Sequence, residues 1–120
     1  MRRPLEQVDP DFGFTGWSEW DSVHYLLAAP FIRTEAAPFI DARRQSVNWT
    51  GLRRVSRSWG HGARLFVALA QNLWNSTGHP SVRELVDTLD HENFGRALRA
   101  IVIARGRKNS GLTGEPGDWL

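Results

Sequence analysis

The segment from residue 59 to residue 75 carries the strongest folding signal in the chain. Its apolar side chains form one continuous stripe with three- and four-residue spacing: Leu65, Phe66, Leu69, Ala70, Leu73 and Trp74. That spacing places the stripe on one face of an α-helix. Ser58 is positioned to cap the start of this helix, and Gly78 and Pro80 follow its end. The pattern therefore predicts an amphipathic helix over 59–75.

Two later segments combine apolar helical spacing with start signals of their own. The run Ser81–Glu84 fits a capping box and predicts a helix over 82–89. Asp90 is a candidate cap for a last helix over 91–105, because Gly106 follows as a typical C-terminal stop.

The boundaries of the N-terminal half depend on weaker signals. Ser18 and Asp21 fit a capping box, Pro30 stops the helix that follows, and Thr34 is a candidate cap for the next one. Pro38 would lie in the first turn of that second helix. The elements predicted here are a helix over 18–29, a helix over 34–45 and a short helical turn at 52–55 within a basic connector, 46–58.

No segment shows the alternation of apolar and polar residues that is typical of a half-buried strand, so we predict an all-α fold. At 120 residues the chain is expected to form one domain, a compact bundle of four or five short helices. The expected parts are an extended N-terminal arm (1–16), the helical body (17–106) and a flexible C-terminal tail (107–120). Phe12 and Phe14 are the predicted anchors of the arm, and Trp119 and Leu120 those of the tail.

Composition excludes several classes of function. The sequence has no cysteine, which excludes disulfides, thiolate catalysis and cysteine-bound zinc. It has no apolar run near the roughly 20 residues of a membrane span, and no apolar stretch follows Met1–Glu6 as in a signal peptide. We therefore expect a cytoplasmic protein with no membrane partner.

The charges are distributed unevenly along the chain. Residues 42–83 contain no acidic residue but hold seven arginines: Arg43, Arg44, Arg53, Arg54, Arg57, Arg64 and Arg83. Residues 1–41 carry seven acidic residues against three arginines, so the modest net charge of +2 conceals strong polarity. Because guanidinium groups bind phosphate and carboxylate in a bidentate way, a basic block of this kind indicates an anionic partner.

The run from Gly51 to Trp59 mixes arginines with serines and a tryptophan. Such a run could grip a phosphate backbone and stack a base, which suits single strands or RNA as well as duplex DNA. The same residue types suit an acidic protein surface. Alternatively, the run could neutralise the acidic N-terminal third of its own chain.

The C-terminal helices have the lengths of a helix-turn-helix motif: a supporting helix, a short capped helix, a turn at Asp90 and a longer helix. The run Ser81–Leu85 resembles the start of the positioning helix in winged-helix regulators, which implies DNA contact by the last helix. Asp90 and Glu92 would repel phosphates there, and 107–120 shows no strand pattern for a wing. The candidate binding residues are Arg43, Arg44, Arg53, Arg54, Arg57, Trp59, Arg64, Asn93, Arg96 and Arg99.

Signals for catalysis are weak. The histidines lack a metal-binding spacing, and the cluster of Asp87, Asp90, His91 and Glu92 coincides with a turn and a helix cap, so a hydrolase site there is disfavoured. We expect no enzyme, metal or cofactor. The sequence predicts a non-enzymatic binding or regulatory module that contacts nucleic acid. The alternative is a protein–protein adaptor or small structural subunit that self-associates through complementary acidic and basic surfaces.

Overall fold

The computed structural model describes residues 13–106, and these are mostly helical, as predicted. The elements are α1 (Ser18–Leu27), α2 (Arg33–Ala36), a 3-10 turn (Ala37–Phe39), β1 (Ile40–Asp41), β2 (Ser46–Val47), α3 (Trp49–Ser56), α4 (His61–Asn75), α5 (Val82–Thr88) and α6 (His91–Arg105). The described part thus has six α-helices where four or five were expected. The predicted tail, with Trp119 and Leu120, and most of the predicted arm, with Phe12, lie outside the described residues.

Helix α1 forms the centre of the core, because it packs against both α4 and α6. Its Trp20, Tyr25 and Leu26 side chains are buried, and α4 contributes the fully buried Phe66. The buried residues of α6 are alanines, so its backbone can approach α1 closely. Within residues 13–106, no helix is both long enough and apolar enough to cross a membrane.

Two of the three side-chain N-caps in residues 13–106 lie where the sequence predicted them; the third, Asn48 before α3, was not predicted. The Ser81 hydroxyl accepts a hydrogen bond from the Glu84 amide at 3.3 Å, and α5 follows. The Asp90 carboxylate accepts one from the Asn93 amide at 2.8 Å and starts α6. Gly106, with a φ of +84°, ends α6. These local predictions are confirmed.

Two predicted N-caps are wrong. Helix α1 follows Trp17, and Ser18 is its first residue instead of its cap. Helix α4 follows Gly60, two residues after the expected cap Ser58, whose hydroxyl donates to the Val55 carbonyl at 3.1 Å. Neither observed N-cap makes a side-chain hydrogen bond, so no capping signal marks these starts in the sequence.

The predicted helix over 34–45 is also wrong, and so is the expectation that the fold has no strand. Helix α2 passes into the 3-10 turn at Ala37, where Pro38 has no N–H to continue an α-helical ladder. The antiparallel pair β1–β2 follows, with Ile40 opposite Val47. Each strand has two residues, which is too short for alternation to be visible in the sequence.

Gln71 in α4 is a buried polar residue with an unpaired acceptor. It is 7% exposed, and its Oε1 atom has no hydrogen-bond donor among the described residues. A buried acceptor without a partner costs about 1–3 kcal/mol. We therefore expect Gln71→Met, which keeps the length of the side chain, to raise the free energy of unfolding by about 1 kcal/mol. Urea titration measures this, with Gln71→Ala as the cavity-forming control; a less stable Met variant would contradict it.

His24 in α1 couples stability to pH. Burial lowers its pKa from the ordinary value of 6.5, and the charge of Asp21 opposes this shift only partly. The unfolded chain therefore binds a proton more readily than the folded protein, so stability falls as the pH drops below about 6.5. We expect His24→Phe, which keeps a ring stacked near Trp20, to lose less stability than the wild type between pH 7.5 and pH 5. Urea titrations at both pH values measure how much stability each protein loses, with the exposed His91→Gln as control. A loss in His24→Phe as large as that of the wild type would contradict the prediction.

Candidate nucleic-acid interface

Helix α3 is a two-turn amphipathic helix with an arginine-rich outer side. The Asn48 carboxamide oxygen accepts a hydrogen bond from the Gly51 amide at 3.1 Å and caps its start. Gly51, Leu52 and Ser56 are buried against the body. The opposite side presents four exposed residues at a spacing of three, four and seven: Thr50, Arg53, Arg54 and Arg57. We call Arg53, Arg54 and Arg57 the arginine face.

The arginine face has no counter-charge in the described part of the chain. No carboxylate oxygen of residues 13–106 lies within 4.0 Å of these three guanidinium groups. The basic connector predicted from the sequence is therefore a short helix that displays three cations on one side. Three guanidinium groups on one side of a short helix produce a positive surface potential that attracts anions.

The other arginines of the basic block have different surroundings. Arg64 donates from Nη1 to the Trp59 carbonyl at 2.6 Å, which places it at the corner between α3 and α4, near the end of the arginine face. Arg44 lies 3.7 Å from the Asp41 carboxylate, and both are exposed, so this ion pair is weak. Arg83 makes two hydrogen bonds with Asp87 along α5. Arg83 thus lies on a different helix from the arginine face and, unlike that face within residues 13–106, is paired with a carboxylate.

The predicted reading helix does not present all of its candidates outward. Arg96 donates from Nε to the Tyr25 carbonyl at 2.9 Å, and its guanidinium carbon lies 4.0 Å above the Tyr25 ring. Helix α6 packs mainly against α1, and α5 packs against α4. Asn93 and Arg99 are half-buried. Arg96 therefore serves the contact between α6 and α1, and the candidates Asn93, Arg96 and Arg99 do not form a row of exposed side chains on α6.

An open depression adjoins the N-terminal end of α3. It has a cavity volume of about 630 Å³ and is lined by residues 38–43 and 46–48. The Phe39 ring of the 3-10 turn packs closely on Gly51 of α3. A Cβ at Gly51 would lie only 2.9 Å from this ring. Sequence reasoning missed this depression, since it assigned 34–45 to a helix. Pro38 was the one signal that could have indicated a break there.

The remaining candidate clusters have structural roles. Asp90 caps α6 and Asp87 pairs with Arg83, so two members of the acidic cluster are engaged. His61, whose role the sequence did not predict, lies 2.8 Å from Glu84 and joins α4 to α5. Among the residues that the structure describes, no three histidine or acidic side chains converge in a way that could hold a metal ion. Trp59 is half-buried and packs against the core.

Comparison with known proteins adds no relative. No protein-family model, curated protein or solved structure matches the chain significantly. The function is therefore inferred from the site alone.

Proposed function

We propose that the chain is a non-enzymatic binding module that contacts the phosphate backbone of nucleic acid through the arginine face. The observation that carries this proposal is the exposure of Arg53, Arg54 and Arg57 on one side of α3 without a carboxylate of residues 13–106 within ion-pair distance. Because guanidinium groups match phosphate geometry, such a surface binds nucleic acid with little dependence on sequence.

The helix-turn-helix hypothesis is not part of this proposal. Sequence-specific reading in that motif requires side chains of the second helix to reach base edges in the major groove. Arg96, the central candidate, is bonded to the Tyr25 carbonyl instead. The proposal therefore concerns contact with the backbone, in which phosphates determine affinity.

A salt titration tests the proposal directly. Each phosphate that an arginine neutralises contributes about −0.9 to the log–log slope of affinity against salt for duplex DNA, and about −0.7 for single strands. For the arginine face together with Arg64, we expect a slope of about −2 to −4. Fluorescence anisotropy of a labelled oligonucleotide at several salt concentrations measures it. Absent or salt-independent binding would exclude the proposal.

Charge-matched variants locate the contact. Arg53→Gln with Arg57→Gln removes two charges from the arginine face, so affinity at low salt should fall about tenfold and the slope should lose about 1.5 units. Arg83→Gln with Arg105→Gln removes two exposed charges from α5 and α6 and serves as the control. An equal loss of affinity in both double variants would show that only net charge matters, and would reject the arginine face as the site.

A second candidate function, protein–protein contact, is favoured by exposed apolar side chains on α5. Val82 is 74% exposed, and Val86 lies one turn further on the same side. Phe31 is a further exposed apolar side chain, 42% exposed, and it lies near Leu89, since both approach within 4 Å of the position that a Cβ on Gly62 would occupy. Exposed apolar surface of this kind marks protein interfaces. Sedimentation at two salt concentrations tests this: self-association through the exposed apolar side chains persists at high salt, whereas association through acidic and basic surfaces is lost there. A monomer at both salt concentrations counts against self-association of either kind.

A further inference from the structure

We propose that the depression beside α3 accepts an unstacked base, and that the partner of the arginine face is therefore a single-stranded nucleic acid. This inference rests on the proposed function, because it requires the phosphates of the same strand to lie along α3. It adds a class of partner and a second contact that backbone binding alone does not require.

The position of the depression supports one continuous path for a strand. Asn48 lines the depression and also caps α3, so the depression meets the helix at its N-cap. Arg53 lies five residues further and Arg57 nine, which is about 7 to 14 Å along the helix axis. A few nucleotides of an extended strand cover that distance. A base at the depression and phosphates at the arginine face can therefore belong to one short stretch of strand.

The lining of the depression has the chemistry of a base site. Pro38, Phe39 and Val47 contribute the smaller, apolar part of the lining, and the half-buried Phe39 ring, which packs on Gly51 of α3, would stack a base only with the part of its surface that faces the depression. The volume of about 630 Å³ lies within the range of small-molecule pockets.

The polar groups at the depression are mainly donors. The oxygen of the Asn48 carboxamide is occupied by the Gly51 amide, which leaves the two N–H donors of that side chain. Arg43 adds an exposed guanidinium group. The Asp41 carboxylate is the one charged acceptor among the described residues of the lining; it accepts from the Arg44 amide at 3.0 Å and forms only a weak, exposed ion pair with the Arg44 Nε atom at 3.7 Å. Donors of this kind complement the carbonyl oxygens of thymine and uracil.

A duplex cannot use this site without opening. Its bases are stacked and paired inside the helix, whereas the depression is formed by the 3-10 turn, a short hairpin and the N-cap residue of α3. A single strand exposes each base for stacking on a side chain. The geometry therefore favours a strand that is already unpaired.

The test compares strands of equal charge with and without bases. Oligothymidylate and oligouridylate of about 10 nucleotides are each measured against an abasic oligomer of the same length, and against a duplex. We expect both base-carrying strands to bind about tenfold more tightly than the abasic oligomer, since stacking of one base contributes on that order. Preference for one of the two strands distinguishes DNA from RNA as the partner.

Variants at Ser46 separate the depression from the arginine face. Ser46 lines the depression and is exposed, so Ser46→Leu fills space there while leaving every arginine in place. We expect Ser46→Leu to bind oligothymidylate only as tightly as the abasic oligomer, with the same salt slope. Ser46→Thr, which leaves the space open, should retain the tenfold difference.

Three outcomes would overturn the inference, and they are distinguishable. Equal binding of base-carrying and abasic strands, with the salt slope retained, rejects the base site and leaves the arginine face as a backbone contact. Tighter binding of the duplex than of the single strands also rejects the base site alone. No binding of any strand at low salt rejects both the base site and the proposed function.

Discussion

Gly78→Ala is expected to lower the free energy of unfolding by about 3 kcal/mol. Gly78 has a φ of +87°, a backbone conformation that costs an L-residue about 1–2 kcal/mol. A Cβ there would also lie 2.5 Å from the carbonyl oxygen of Ala68, which belongs to the backbone of α4. Backbone atoms of a packed helix cannot move aside as a flexible side chain can, so overpacking adds about 1–3 kcal/mol.

Urea titration followed by tryptophan fluorescence measures this loss, which would be a large share of the stability of a domain of this size. Gly95→Ala in α6 is the matched control. The nearest atom to its Cβ would be a terminal nitrogen of the flexible Arg99 side chain at 3.7 Å, and alanine favours a helix interior. Gly95→Ala should therefore raise stability by about 0.5–1 kcal/mol. A loss below about 1 kcal/mol for Gly78→Ala would show that the connection between α4 and α5 relaxes easily.

The sequence-based predictions were most accurate where a structural feature is caused by residues that are close together in the sequence. The caps formed by Ser81 and Asp90 involve hydrogen bonds between residues three apart, and Gly106 acts through its own backbone. Such interactions are readable from a short window of sequence, although the Asn48 cap of α3, which has the same spacing, was missed. The starts of α1 and α4 depend on no side-chain cap, and there the predicted caps, Ser18 and Ser58, were wrong.

The hairpin was missed because its cause is tertiary. The Asn48 amide donates to the Phe39 carbonyl at 2.8 Å, and the Phe39 ring packs where Gly51 leaves room on α3. Nothing in the residues 34–45 by themselves indicates this contact. The depression depends on the same packing, so it was beyond prediction by local spacing alone.

The candidate site was only partly predictable for a related reason. That Arg53, Arg54 and Arg57 share one side follows from helical spacing, and only the helix itself had to be recognised. Which arginines have partners does not follow from spacing. Arg96 bonds to the carbonyl of Tyr25, 71 residues earlier, and such a contact is set by the packing of α6 on α1.

Asp21→Ala is expected to lower the free energy of unfolding by about 3 kcal/mol. Asp21 is 4% exposed, and its carboxylate accepts three hydrogen bonds. These come from the Thr15 amide at 2.9 Å, the Thr15 hydroxyl at 2.8 Å and the Gly16 amide at 2.8 Å. Alanine would leave these donors without the acceptor, and hydrogen bonds to a charged group contribute about 1.5–3 kcal/mol.

The exposed Glu19→Gln, in the same turn of α1, is the matched control and should change stability by less than about 0.5 kcal/mol. A double-mutant cycle of Asp21→Ala with Thr15→Ala isolates the contact between the two side chains, while Thr15→Ser retains the hydroxyl. Coupling near zero would mean that Asp21 acts only through the two backbone amides.

In either case the carboxylate holds the chain before α1 against the body, where Phe14 packs near the Tyr25 ring. Loss of Asp21 should therefore release that segment before the core itself opens, and hydrogen exchange of the Thr15 and Gly16 amides would detect this release as faster exchange than in Glu19→Gln.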